Sequence, residues 1–262
     1  MTRTLHTAVT GMLAQQLFVD NIANNLANVN TTAFKRNKVE FQDLLYQTIR
    51  MAGSSNLQDT YIPTNLQVGN GVRPSSSQKI QTQGDLYYSN NPLDVAIDGI
   101  GFLQITRPDG TLAFTRDGTL KVSENSVLVT SDGLPVEPQI TIPQDATAIS
   151  IGADGFVQAE VSGQTQLQQL GQLSLVKFLN PAGLKSVGQN LYEETFASGT
   201  PIIGQPTRDG FGRILQGYLE SSNVNVVEEM VNMITGQRAY EINSRSIQAG
   251  DDMMTTVNNL RR

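Results

Sequence analysis

NVNVVEEMVNMITGQRAYEINSRSIQAGDDMMTTVNNL, residues 223–260, is the stretch whose reading decides the fold. Within it Val226, Met233, Tyr240, Ile247 and Met254 recur at a spacing of seven, the heptad seam of a long helix that expects a partner. Asn225 with Glu228 three residues later resembles a capping box, the Asn side chain accepting from first-turn amides and the Glu reaching back. A helix from there to Leu260 would run about 53 Å. Tyr240 is large and hydroxylated, so it suits a multi-helix interface with polar contact better than a tight two-helix seam.

A second seam lies at the other end of the chain, where Leu5, Met12, Val19 and Leu26 are again seven apart, with Val9 and Ala23 four residues after the first and third. This spacing predicts a helix from about Thr4 to Ala27, with Ile22 on the same broad face. It should stop at Asn28-Val29-Asn30-Thr31-Thr32, whose Asn and Thr side chains bond the nearby backbone and compete with helix continuation. The two helices bracket everything else.

The material between them differs. All ten prolines lie between Pro63 and Pro206, whereas Gly11 is the sole glycine before Thr48 and only Gly236 and Gly250 follow Gly217. After the first helix, Phe41, Leu44, Leu45 and Ile49 have helical spacing, and the stretch from Met51 to Pro74 reads as an extended or loosely ordered arm. From about Val72 to Pro206 short alternating runs predict half-buried strands: Leu93, Val95 and Ile97; Ile140 and Ile142; Ile149 and Ile151; Leu173, Leu175 and Phe178. Asp-Gly pairs, at Gly99, Gly110, Gly118, Gly133 and Gly155, are hairpin signals because glycine tolerates positive φ and Asp bonds its own backbone. The module is therefore antiparallel, and doubly wound nucleotide-binding folds are excluded. Ile214 to Leu219 reads as one more strand before the closing helix.

Composition narrows the function. A net charge of −6, with 16% charged residues, leaves no basic footprint for nucleic acid or an anionic membrane. There is no apolar run of 18 residues, and the first 30 residues lack the layout of a secretory signal, so neither membrane insertion nor a cleavable signal is expected. The absence of Cys removes disulfides, thiol catalysis and cysteine metal sites.

The constellations an enzyme needs do not assemble. The single His, His6, sits within the first helix and reads as a surface or interface residue. Gly99-Ile100-Gly101 and Gly69-Asn70-Gly71 lack the third glycine of a dinucleotide loop and read as turns. Neither a nucleophile elbow nor a calcium loop occurs. No catalytic, cofactor or metal residue is assigned, and the Asp-Gly aspartates are turn makers. Lys35, Arg36 and Lys38 form a small basic cluster, read as a solvated stretch with an intersubunit salt-bridge role as the alternative. A helix pair could cap the β module of a monomer, but the closing helix is longer than that needs, and a coiled-coil stalk is the more economical reading.

Longer motifs carry a resemblance. The run from Asn24 to Lys35, the run from Ser221 to Val231 with Gln237 to Glu241, and the runs from Asn91 to Gly99 and Phe114 to Gly118 resemble the signatures of bacterial flagellar rod and hook proteins. The run from Glu40 to Thr48 is most similar to the distal-rod branch of that family. In the first signature a Gly often stands where this chain has Ala33, a departure that matters if the residue needs positive φ. The resemblance implies a structural subunit, not an enzyme, and no cofactor. It implies an α+β chain whose long terminal helices pair as a coiled coil (1–30 with 223–262), a connecting domain with an extended arm (31–71 with 207–222), and an outer antiparallel β domain (72–206). The implied partners are further copies in a helical tube, proximal rod and hook-side flagellar proteins, and the ring bushing around the rod. Export would run through the central channel by the flagellar type III apparatus, to a periplasmic rod. The assembly interface expected from seams and signatures together comprises Leu5, Met12, Val19, Leu26, Asn24, Asn28, Phe34, Val226, Met233, Tyr240, Ile247 and Met254. A rod-stiffening arm is expected at Tyr46, Ile49, Leu57, Tyr61 and Leu66. The competing readings are a flexible hook subunit, a proximal rod subunit and, from a different class, a β-domain peptidoglycan hydrolase.

Overall fold

A computed structural model describes residues 2–52, 63–161 and 167–260. The chain is α+β and divides into two units, drawn from the described residues of 1–26, 37–78 and 225–262 and of 27–36 and 79–224.

The first unit is built on two helices, α1 (Thr2–Ala27) and α2 (Val226–Leu260). Asn225 caps α2, its Oδ1 accepting from the Val227 amide at 3.0 Å and the Glu228 amide at 3.3 Å. The helices lie side by side and antiparallel. Gly250 sits against Leu5, Gly11 against Asn243, and Gly236 against Phe18 and Val19, while Asn25 Nδ2 donates to Glu229 Oε2. Gly236 shows why the approach is close: a Cβ there would stand 3.0 Å from Val19 Cγ2.

Four strands complete the unit: β1 (Asn37–Asp43), β2 (Gln47–Arg50), β3 (Leu66–Val68) and β4 (Val72–Lys79). The helical spacing of Phe41, Leu44, Leu45 and Ile49 is therefore misleading, because this segment is strand. Lys38, Val39, Glu40 and Phe41 alternate polar and apolar at period two, and β1 hydrogen-bonds with β4. Val39 is buried, and Phe41 meets Phe18 of α1 edge to face at 6.4 Å. The arm begins as an antiparallel pair, Gln47 opposite Val68 and Arg50 opposite Leu66. Its further residues Leu57 and Tyr61 lie outside the described residues.

The second unit is antiparallel β. Strands β5 (Leu86–Tyr88), β6 (Val95–Asp98), β7 (Phe102–Thr106) and β8 (Leu112–Thr115) open it. β7 and β8 form the middle of a seven-stranded sheet that adds strands at 136–137, 175–177, 185–188, 191–193 and 202–204. Both faces of β7 are covered. Leu103 and Ile105 enter a core with Leu120, Val157 and Leu175, while Phe102 faces Phe114, Phe178 and Tyr192 on the other side. Residues 146–151, 156–161 and 168–172 form a three-stranded sheet. Residues 213–216 pair with β6 and 218–220 with β5, so the single strand expected over Ile214 to Leu219 is two, broken at Gly217, whose φ is 74°. Three of the five Asp-Gly pairs close hairpin-like turns, at Gly110, Gly133 and Gly155. Gly118 is needed for space rather than for φ, since a Cβ there would overlap the Val95 carbonyl. Ile140 and Ile142 are buried but belong to no extended strand.

Candidate assembly interface

Each helix of the first unit has an outward apolar stripe. On α2, Val227, Val231 and Ile234 are 71%, 54% and 49% exposed, with Met230 beside them and Ile242 farther along. On α1, Val9, Leu13 and Leu17 repeat at i+4 and are exposed. The arm continues the pattern: Leu45, Tyr46, Ile49, Met51, Leu66 and Val68 are all exposed. A two-stranded hairpin is marginal in water without a surface to pack on, and apolar patches this extensive mark interaction sites.

The expected seam residues lie beside these stripes or inside the helix pair. Leu5, Met12, Val19, Leu26, Met233 and Ile247 are half-buried, with Leu5 and Val19 against α2 glycines. Val226, Tyr240 and Met254 are exposed, as are Tyr46, Ile49 and Leu66 of the arm. Asn24 is exposed, and Asn28 is half-buried, accepting from Thr31 Oγ1 at 3.1 Å. Phe34 is buried inside its own chain, with the Lys79 ammonium 4.5 Å from its ring centre. A cleft of about 410 Å³ runs beside Tyr240, lined by Gln15, Val19 and Gln237. Sequence reasoning passed over the Val227–Val231–Ile234 and Val9–Leu13–Leu17 stripes because the heptad hits nearby were stronger, although the i+4 spacing was present.

The basic cluster resolves differently from either expectation at one residue. Lys35 is fully buried and pairs with Glu220 of the same chain, so for this residue both the solvated and the intersubunit readings are corrected. Lys38 remains exposed beside Glu40. Glu220 also binds Arg116, Nε to Oε2 at 2.9 Å, and Arg116 donates to the carbonyls of Ile97, Gly99 and Gly101. Lys35 Nζ completes its shell with the Thr82 carbonyl at 2.7 Å. Burial pulls the Lys35 ammonium below its usual range, against the pull of Glu220 in the other direction. Beyond it, burial pushes the Tyr192 phenol up to about 12. Ala33 has φ 57° and is buried, so this chain holds an alanine in the left-handed region that favours glycine.

In the first unit Asn25 and Asn37 bond reciprocally, Asn25 Nδ2 to the Asn37 carbonyl at 2.9 Å and the Asn37 amide to Asn25 Oδ1 at 2.9 Å. The signature residues Asn25, Lys35, Arg116 and Asn223 thus secure turns and chain ends from inside. In the first unit the apolar surface open to a partner is the helical and arm face.

A chain with a β module packed around a covered central strand and helices whose outer stripes the described residues leave uncovered has the form of a self-assembling structural subunit. Three family models match it: "Flagella basal body rod protein" over residues 5–35, "Flagellar hook protein FlgE/F/G D1 domain" over 96–159, and "Flagellar basal body rod FlgEFG protein C-terminal" over 215–260. The flagellar basal-body rod protein FlgG of Buchnera aphidicola subsp. Acyrthosiphon pisum is 51% identical over 96% of both chains. That of Borreliella burgdorferi is 48% identical over all of both, and that of Bacillus subtilis is 39% identical over the same share. The chain belongs to the flagellar basal-body rod and hook family and is most like its distal-rod member FlgG. It is a structural subunit of the flagellar basal body, assembling into the rod with other flagellar proteins, and not an enzyme. Among the described residues no helix is long and apolar enough to cross a membrane.

Proposed function

We propose that the chain polymerises into a straight, rigid helical tube that carries motor torque to the hook, and that the exposed stripes of α1 and α2 are the contacts between copies. The observation that carries this is the exposed row Val227, Val231 and Ile234 on α2. Twisting a tube shears neighbouring subunits past one another, so stiffness needs many apolar seams and no hinge. In the assembled tube the terminal helices form the inner coiled-coil layer through Leu5, Met12, Val19, Leu26, Val226, Met233, Tyr240, Ile247 and Met254. Asn24 and Asn28 border that layer, and Phe34 shapes the turn below it. The three-part organisation, with helices at 1–30 and 223–262, a connecting part at 31–71 and 207–222, and an outer β domain at 72–206, belongs to the same proposal.

The arm, including Tyr46, Ile49, Leu57, Tyr61 and Leu66, wedges between neighbours and stiffens the tube. The tube stands in the periplasm between the proximal rod and the hook-side proteins, inside a ring bushing, its subunits delivered by the flagellar type III apparatus. Electron microscopy of the purified chain under polymerising conditions tests the reading: straight tubes are expected, whereas curved polymers would favour a hook role and persistent monomers would refute self-assembly. Deleting residues 51–71 should give tubes that bend more easily, and unchanged stiffness would remove the wedge role.

A further inference from the structure

The chain passes between its two units at four points, 26/27, 36/37, 78/79 and 224/225. Any force carried covalently between the helices and the β module runs through these four passages. On the β side all four are tied to one buried cluster. Segment 27–36 serves the first two: the Ala33 amide donates to the Glu220 carbonyl at 2.8 Å, Lys35 Nζ binds the Glu220 carboxylate, and the Arg36 amide donates to Asn223 Oδ1 at 2.7 Å. The third is held where the Ile80 amide donates to the Arg36 carbonyl at 2.8 Å and the Gly84 amide to Glu220 Oε1 at 2.9 Å. The fourth is Glu220 and Asn223 themselves, with Asn223 Nδ2 donating to the Ile80 and Thr82 carbonyls at 2.9 and 3.0 Å. Arg116, one residue beyond β8, fastens the cluster to the sheet through Glu220 and three backbone carbonyls.

We propose that Lys35, Glu220 and Arg116 form a force-bearing clasp that ties the β-side ends of the four chain passages to one another and to the β sheet, so that load arriving through any one of them is shared by all four. A buried ion triad is suited to this more than to raw stability. Its desolvation cost offsets much of its attraction, whereas its directional bonds fix one geometry. Apolar packing would let the four segments slide; a carboxylate that accepts from Lys35, Arg116 and the Gly84 amide does not. The proposal rests on the rod reading for the load it bears, but the clasp itself is testable in the unassembled chain.

The test uses full-length Glu220→Ala, with Lys35→Met as a milder second variant that leaves the Arg116–Glu220 pair intact. Amide hydrogen exchange is read in the unassembled protein, and bending stiffness in rods isolated from cells carrying each variant. The amides of Ala33, Arg36, Ile80 and Gly84 should lose protection by about a hundredfold or more in Glu220→Ala while β7 stays protected. Rods that assemble should be measurably softer than wild type, Lys35→Met lying between. Retained protection at those four amides would overturn the clasp. So would loss of protection throughout β7 in both variants, which would make the triad ordinary core. Local opening with unchanged rod stiffness would overturn its force-bearing role, while failure of the wild-type chain to polymerise would fall on the rod reading alone.

Discussion

Leu103 and Ile105 on β7 and Val231 and Ile234 on α2 are chemically alike, yet the first pair is completely buried and the second is half in water. The β module covers both faces of its central strand, and its exposed apolar side chains, such as Leu179, Phe196 and Ile203, lie away from that strand. The helical unit covers its apolar side chains only in part: Ile22 is buried, but close approach through Gly11, Gly236 and Gly250 leaves Val227, Val231 and Ile234 outside. The difference separates two jobs. One unit closes a core around its central strand; the other keeps a row of branched side chains in water.

Substitutions at three positions sharpen this contrast. The largest effect on stability belongs to the closed unit, where Leu103→Ala should cost about 3–5 kcal/mol in thermal or denaturant unfolding, because a fully buried methyl cluster is replaced by a cavity. Next is alkaline sensitivity. The folded state holds the Tyr192 phenol up to about 12 while the unfolded chain ionises near 10, so its contribution is intact below pH 10 and is lost as pH rises through 12. Between those limits the loss amounts to about 2–3 kcal/mol. Lys35, lowered by burial, pulls the opposite way up to its ordinary 10.5, so the clean comparison is with Tyr192→Phe, whose stability should fall less across that window. The same pH dependence in both proteins would contradict the assignment. The smallest effect is at the left-handed Ala33. Glycine relieves strain but frees the unfolded chain and removes a buried methyl, so Ala33→Gly should change stability by less than about 1 kcal/mol. Ala33→Val, branched at a positive φ, should cost about 2 kcal/mol or more, and equal tolerance of both would mean that the turn relaxes.

Much of this architecture was legible because it rests on local rules. The uneven placement of proline and glycine separated helical ends from a β middle, Asn225 marked the start of α2, and Asp-Gly pairs marked hairpins at Gly110, Gly133 and Gly155. What stayed hidden depends on partners distant in sequence. Phe41 and Ile49 satisfy a helical template, but pairing of β1 with β4 and β2 with β3 decides their backbone. Lys35 looks like a surface cation until Glu220, 185 residues away, is brought to it. The heptad hits pointed to the helices correctly, yet the innermost positions are glycine, asparagine and glutamate at 229, 236, 243 and 250, residues an apolar count overlooks. The outward stripe was visible as spacing, but only the packed fold reveals which face of a helix is already used.

The central claim is that the helical unit is completed by other copies, and Val231→Asp probes it most directly. The residue is exposed in the isolated chain, so a carboxylate there should leave the melting of the β module within about 0.5 kcal/mol of wild type. The account predicts that sedimentation and electron microscopy of this variant show folded monomers and no tubes. Tubes of normal length and stiffness from Val231→Asp would contradict it.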